Sequence, residues 1–287
     1  MKADIIWLDT ADSTNDEAKR HISKIDNLSV LSALEQTAGR GQRGNQWHST
    51  AGENLLFSIV LKFSDKESLP SLQAKRHFIL NEIASLSVVK FLSSHGIRAE
   101  IKWPNDIYVD DRKICGILIE NSVRGSHLNS SIIGIGLNIN QRNFNVNLPN
   151  PTSMVLCMPS VASLDLRICL EEFMEIFISY YERFLTSDCD HSPLYREYLA
   201  ALWRSGRPSR FIDYTTLPTG HLEGPMNIHT QNDSCPDITS LTNPPDQSVN
   251  EFPGIIRGLS STGNLLVEDL TTGQIHEFGF KEIGYIL

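Results

Sequence analysis

Gly39-Arg40-Gly41-Gln42-Arg43-Gly44 packs three glycines and two arginines into six consecutive residues. Backbone without side chains lets N–H groups approach a ligand closely, while guanidinium groups answer phosphate or carboxylate charge. The composition is that of an anion cradle, and equally that of a surface turn with solvated arginines. It lacks the Gly-Lys-Ser/Thr ending of a Walker A loop. Lys102-Trp103-Pro104-Asn105-Asp106 sets a cation, an aromatic, a rigid turn, an amide and a carboxylate side by side at the end of a strand-like run. The plainer reading is a turn whose Asn and Asp bond their own backbone with Trp103 in the core.

Arg112-Lys113 opens the next strand-like run, so the hairpin turn returns Lys113 towards Lys102. Gly134-Ile135-Gly136-Leu137-Asn138-Ile139-Asn140 combines small residues with two amides, suited to a planar ligand lying close to the chain or to a plain glycine-bearing sheet crossing. Histidine pairs at zinc spacing and a Gly-x-Ser-x-Gly elbow are both missing, which removes support for zinc and serine-hydrolase chemistry. Cys115 sits among Ile114, Ile117 and Leu118 and reads as a buried structural thiol.

Several elements must position these groups. Ile5–Leu8 reads as a strand, followed by Ser13-Thr14-Asn15-Asp16-Glu17, where Ser13 or Thr14 can cap a helix and Asp16 or Glu17 can close a capping box. Val30–Leu34 and Leu55–Phe63 are further strands around a long polar loop. The spacing of Ile79, Ile83 and Leu86 predicts an amphipathic helix over Leu69–His95 lying against the sheet. Ile107–Val109, Ile114–Ile119 and Ser131–Leu137 give a hairpin-rich mixed sheet. Leu166 to Phe184 traces one helix, and Tyr195–Trp203 a second before Gly206-Arg207-Pro208.

The stretch 217–253 is rich in Pro, Asn, Asp, Ser and Thr and reads as a long loop. Ile255–Gly258, Asn264–Leu270 and Gln274–Phe278 read as short strands of a small β-barrel. The expected domains are therefore 1–208 and 209–287. The 287 residues, 40% of them hydrophobic and 21% charged, suffice for one large domain and a small one. A net charge of -9 argues against nucleic acid or an anionic membrane as partner. Five scattered cysteines without a C-x-x-C pair, and the absence of a signal-like or membrane-length apolar run, fit a cytoplasmic protein.

Taken together and in order, Asp12–Asn15, Glu35–Gly44, Trp47, Lys102–Asp106, Arg112–Glu120 and Gly134–Asn138 strongly resemble the biotin protein ligases. The resemblance covers about residues 4–205, with a looser match at Gly254–Asp269. It implies an α/β (α+β) architecture: a mixed sheet flanked by helices, of the class II aminoacyl-tRNA synthetase and biotin ligase type, followed by an SH3-like β-barrel. It also implies an AMP-forming reaction in which biotin and Mg-ATP give biotinyl-5′-AMP, and biotin then passes to a lysine of a biotin carboxyl carrier domain of a biotin-dependent carboxylase. Alternatives are a lipoate or octanoate ligase or transferase on the same fold, and a non-catalytic biotin-binding regulator.

By this resemblance the biotin-binding set is Ser13, Thr14, Asn15, Gln36, Gly39, Arg40, Gly41, Trp47, Lys113 and Gly116. The nucleotide-binding set is Arg40, Gln42, Arg43, Trp47, Asn105, Lys113, Asn138 and Arg257. Lys113, Arg40 and Asp106 are the expected catalytic residues, with Asp106 holding Mg²⁺ or orienting the incoming lysine amine. Gln42 departs from the further arginine that many members carry. With the first strand starting near Asp4, no DNA-reading module is expected ahead of it, and exposed β-edges leave room for a homodimer.

Overall fold

The first strand, β1 (Asp4–Ala11), runs parallel to β2 (Ser29–Gln36) across the crossover helix α1 (Thr14–His21). The computed structural model describes residues 3–63, 72–187, 190–215 and 250–286, with the backbone alone at position 43. β2 pairs antiparallel with β3 (Leu55–Lys62), whose residues are buried almost throughout, as an apolar run in a central strand requires. The helix α2 (Phe78–Ser94) follows, and then come β4 (Glu100–Lys102), β5 (Asp106–Val109), β6 (Arg112–Arg124) and β7 (His127–Leu137). The sheet order is β1-β2-β3-β7-β6-β5-β4, so β7 returns to the middle and places β6 beside it.

Strand alternation divides this sheet into two differently covered faces. On one face, Ala18 of α1 packs against Leu31, Val60 and Ile132, with Ile22 and Ile25 beside them. Across the sheet, Phe57 meets Phe173 edge-on at 5.2 Å between ring centroids, and Phe91 joins them at 6.2 Å. Phe173 belongs to α4 (Leu166–Thr186), which follows the short α3 (Met154–Cys157). Asp165 caps α4 by accepting from the Arg167 and Ile168 amides, at 2.7 and 3.2 Å.

Three expectations change here. The helix predicted over Leu69–His95 begins at Phe78, after a 3-10 turn at Ala74–Arg76, and positions 69–71 lie outside the described residues. It is not amphipathic: Asn81, Glu82, Ser85 and Ser87 are buried together with its apolar residues, because α2 packs against the sheet, α4 and α5 (Ser192–Ala200). The second helix stops at Ala200 instead of Trp203, since Leu202 bridges to Ile101 and the Trp203 amide donates to the Ile101 carbonyl at 2.9 Å.

The described residues separate into two units: Met1–Ser205 with Leu259–Gly263, and Gly206–Gly258 with Asn264–Leu287. In the second, β8 (Pro208–Asp213), β9 (Asn250–Leu259), β10 (Leu265–Asp269), β11 (Ile275–Phe278) and β12 (Ile283–Ile286) form a sheet in the order β11-β10-β9-β8-β12. Its core includes Phe211, Ile256, Leu265, Val267 and Phe278. β8 and β12 are additions to the strands expected from sequence. The loop expected at 217–253 ends earlier, because 250–253 begin β9 opposite β8; positions 217–249 lie outside the described residues.

Phe173, fully buried between Phe57, Phe91 and Phe177, is the aromatic hub of the first unit. Truncating it (Phe173→Ala) is expected to cost about 3–5 kcal/mol in urea unfolding; a loss under about 1 kcal/mol contradicts this packing account.

Candidate functional site

Gly116 of β6 lies opposite Gly136 of β7, and two residues along, Leu118 lies opposite Gly134. Directly opposed residues share a face, so Gly116, Gly134 and Gly136 open one stripe on the α1 side of the sheet. The stripe is filled from above. A Cβ on Gly136 would lie 2.5 Å from Trp47 Cε2, one on Gly116 would lie 3.0 Å from Trp47 Cζ3, and one on Gly134 would strike the Asn15 amide oxygen. Glycine is needed here for close approach, with the indole lying flat on the sheet.

At one end of the stripe stands the start of α1. The Ser13 amide donates to Asp12 Oδ1 at 2.7 Å, and Arg20 grips both Asp12 oxygens at 2.7 and 2.8 Å, which holds the Asp12 carboxyl well below the usual carboxylate range. The capping expected from the Ser13 side chain does not occur. Instead Gln36 Oε1 accepts from the Thr14 amide at 2.7 Å and from its hydroxyl at 3.2 Å. Ser58 of β3 donates towards Thr14 Oγ1 and Asn15 Oδ1, at 2.8 and 2.6 Å. Asn15 Nδ2 in turn donates to Glu120 Oε2 at 2.8 Å.

Glu120 also receives Lys19 at 2.6 Å and Arg40 at 3.0 Å, while Arg40 reaches Asp16 at 2.7 Å. Burial raises the Glu120 carboxyl, but the hydrogen bonds from Lys19 and Asn15 and the Arg40 charge outweigh it, so it lies below its ordinary value. At the other end of the stripe, Lys113 Nζ meets Asp106 Oδ1 at 2.7 Å and stands 5.8 Å from the Trp47 ring centroid. Asp106 pairs with Gly116 across β5 and β6. Lys102, beside this pair, is lowered to about 8 by burial.

Gly116 and Glu120 are four residues apart on one strand, hence separated by about 13 Å along one face. Arg40 and Lys113 therefore serve the same stripe from its two ends, each held by a carboxylate. Two buried polar atoms there have no partner among the described residues: Trp47 Nε1 and Asn138 Oδ1. The segment at 150–154 braces both Lys113 and Asn138. Thr152 N donates to the Lys113 carbonyl at 2.9 Å, and Asn138 Nδ2 donates to the Thr152 carbonyl at 2.9 Å.

The remaining residues singled out from sequence are placed differently. Asn105 directs its amide at the Ile117 carbonyl, at 2.5 Å, and so clamps the β5–β6 hairpin. Arg257 belongs to the second unit and pairs with Glu268 at 2.5 Å. The Arg43 side chain lies outside the described residues. Gln42 opens the 3-10 turn Gln42–Gly44, whose loop is closed by Gly41 N donating to Asn45 O at 2.7 Å and Trp47 N to Gly39 O at 2.9 Å. This glycine loop joins two antiparallel strands, and its Arg40 reaches Asp16 in the first turn of α1.

Glu120, Asp16 and Ser58 were missed by sequence reasoning. Their signal was positional: Glu120 lies on the row of Gly116 and Leu118, and Ser58 is a polar residue in an otherwise apolar central strand. For a metal, the donors do not make a resident site. No group of three metal-ligating side chains exists among the described residues, and one Asp106 oxygen is engaged by Lys113.

Residues 7–138, which hold the whole of this stripe, match the model of the Biotin/lipoate A/B protein ligase family. The chain is 36% identical over 114 residues to the bifunctional ligase/repressor BirA of Bacillus subtilis, covering 39% of this chain and 33% of that protein. To the biotin--[acetyl-CoA-carboxylase] ligase of Paracoccus denitrificans it is 34% identical over 131 residues, 45% of this chain and 51% of that protein. The match thus spans about half or less of these curated relatives.

Among solved structures, the biotin protein ligase of Aquifex aeolicus in complex with biotin and ATP aligns with a TM-score of 0.68 at 23% identity, over 98% of this chain and 97% of that one. That of Leishmania major in complex with biotinyl-5-AMP gives 0.56 at 20% identity, over 96% and 99%. At these identities the likeness is one of fold. The resemblance read from the sequence holds, as does the fold it implied, a mixed sheet flanked by helices followed by an SH3-like β unit: the mixed sheet has seven strands and the second unit an antiparallel sheet of five.

Because the Gly136 position admits no Cβ beneath the indole, Gly136→Ala is expected to displace Trp47 at a cost of about 1–3 kcal/mol. Urea unfolding and tryptophan fluorescence measure both effects, and an unshifted emission spectrum at unchanged stability contradicts the stripe as described.

Proposed function

We propose that the chain activates biotin with Mg-ATP to biotinyl-5′-AMP and transfers the biotinyl group to a lysine of a biotin carboxyl carrier domain. The observation that supports it is the pairing of Arg40 and Lys113 with carboxylates at the two ends of one glycine-floored stripe. Attack of a carboxylate oxygen on the α-phosphorus brings like charges together, with pyrophosphate leaving. Such a step needs fixed positive groups more than it needs an acid or base. In this reading Lys113 faces the biotin carboxylate and α-phosphate, and Arg40 and the loop amides of Gly39 and Gly41 cover them. An incoming anion would take over part of the role that Asp106 and Glu120 fill here.

Ser13, Thr14, Asn15 and Gln36 are assigned to the ureido ring and Trp47 to the wall of the valeryl chain and adenylate; Gly116, which the indole covers here, is assigned to the floor that the ligand reaches when Trp47 moves aside. A site built of buried hydrogen-bonding groups rejects an analogue that leaves them unpaired, which favours biotin over lipoate. Gln42, Arg43 and Asn138 are assigned to the nucleotide; Asn105 supports it indirectly, by holding the hairpin. Mg²⁺ is assigned to the triphosphate as part of the substrate. In the second step the neutral carrier lysine nitrogen attacks the acyl carbon, the acyl C–O bond to phosphate breaks with AMP leaving, the amine proton passes to solvent, and Asp106 orients the amine. We assign the reaction to the cytoplasm on the cysteine pattern.

Lys113→Ala is expected to lower biotin-dependent ATP–pyrophosphate exchange by about 100-fold or more with the fold intact. Retained exchange overturns the lysine's role. Avidin blotting and mass spectrometry of a carrier domain incubated with the wild-type chain, biotin and Mg-ATP test the transfer: one biotinyl adduct is expected, and a lipoyl adduct formed in preference overturns the substrate assignment.

A further inference from the structure

On the opposite side of the first unit's sheet from the glycine stripe, α2 carries a carboxylate that the ligase reading does not use. Glu82 is 2% exposed, and no described protein group donates to its Oε2. An isolated buried carboxylate is costly, and burial duly raises Glu82 to about 8 against the lowering effect of Arg76. The side chain lines a cavity of about 170 Å³ whose walls include Phe78, Ile79, Tyr195 and Leu259.

That volume suits a molecule of roughly six heavy atoms. The cavity is built from rigid parts. Tyr195 Oη donates to the Leu259 carbonyl at 2.8 Å, and Trp103 Nε1 donates to the Gly263 carbonyl at 2.9 Å, which fixes the segment Leu259–Gly263 over α2. The cavity mixes apolar walls with Arg76, His191, Ser260 and Ser261, and its one carboxylate has an oxygen, Glu82 Oε2, without a described donor; such a pairing suits a cationic donor on a short hydrocarbon.

We propose that this cavity is a binding site for a small primary alkylammonium ion, its –NH3⁺ donating to Glu82 and its chain lying along Phe78, Ile79 and Leu259. The other titratable groups facing the cavity are Arg76, ahead of α2, and His191, at the start of α5 with Asp190 next to it. Arg76 disfavours a cation, so the direct bond to the carboxylate must carry the selectivity. The neighbouring Asn81 donates to the Pro104 carbonyl at 2.5 Å, which ties this helix turn to the Lys102–Asp106 segment. The inference is independent of the ligase reading.

Calorimetric titration of the full chain with n-pentylammonium chloride and with 1-pentanol, an uncharged molecule of the same size, tests it. The ammonium is expected to bind at least about tenfold tighter than the alcohol at pH 8.5. Its affinity should fall at least about tenfold by pH 6.5, because the ligand must drive the proton off Glu82, while alcohol binding stays flat. Glu82→Gln keeps the shape of the neutral acid and is expected to abolish both the preference and the pH dependence. Equal binding of the two probes by wild type, undiminished ammonium binding by Glu82→Gln, or no ammonium binding up to millimolar concentration each overturn the proposal. The comparison of probes on the wild type needs no variant. Nα-acetyl-lysine N-methylamide as a third probe separates sources: tighter binding of pentylammonium assigns the site to a free amine, and tighter binding of the lysyl probe overturns that source.

Discussion

The site depends on backbone approach at three positions without side chains. Gly116, Gly134 and Gly136 line one face of β6 and β7, and a methyl group on any of them would meet Trp47 or Asn15. Everything polar in the site is placed relative to that stripe: α1 delivers Asn15 to it, the loop after β2 delivers Trp47, and β6 itself supplies Lys113 at one end and Glu120 at the other. The crossover from β1 through α1 to β2 puts the helix start on the same face because Ala18 must pack on Leu31, Val60 and Ile132.

Electrostatics follows from this geometry. Arg40 and Lys113 each have a carboxylate partner within 3.0 Å, Arg40 with Asp16 and Glu120, and Lys113 with Asp106. These pairs are partly exposed, so each contributes little to stability by itself, about 0–1 kcal/mol. Their consequence is positional: the guanidinium and ammonium groups are held at the two ends of the stripe that Trp47 and Asn15 cover.

Much of this was legible in the sequence. The chemistry-bearing segments stood out because glycine, arginine, lysine and tryptophan are unusual neighbours there, and Ile114–Ile119 and Ser131–Leu137 read as strands within what became β6 and β7. What escaped depended on partners far away in the chain. Gln36, 22 residues from Thr14, does the capping that Ser13 was expected to do. Glu120 gains its meaning only when Asn15 and Arg40 are folded onto it. The even burial of α2 came from packing on several sides at once, which hydrophobic spacing on one strand of sequence does not encode. β8 and β12 are short edge-side partners whose pairing is set across the second unit's sheet.

The account stands or falls on Arg40 and Lys113 acting on one bound anion from the two ends of the stripe. A double-mutant cycle measures this directly: the affinity of a non-hydrolysable biotinyl-adenylate analogue for wild type, Arg40→Ala, Lys113→Ala and the double variant. Both single losses with a coupling of about 0.5 kcal/mol or more are predicted, as for groups sharing one partner. Strict additivity, or no loss on either substitution, would contradict it.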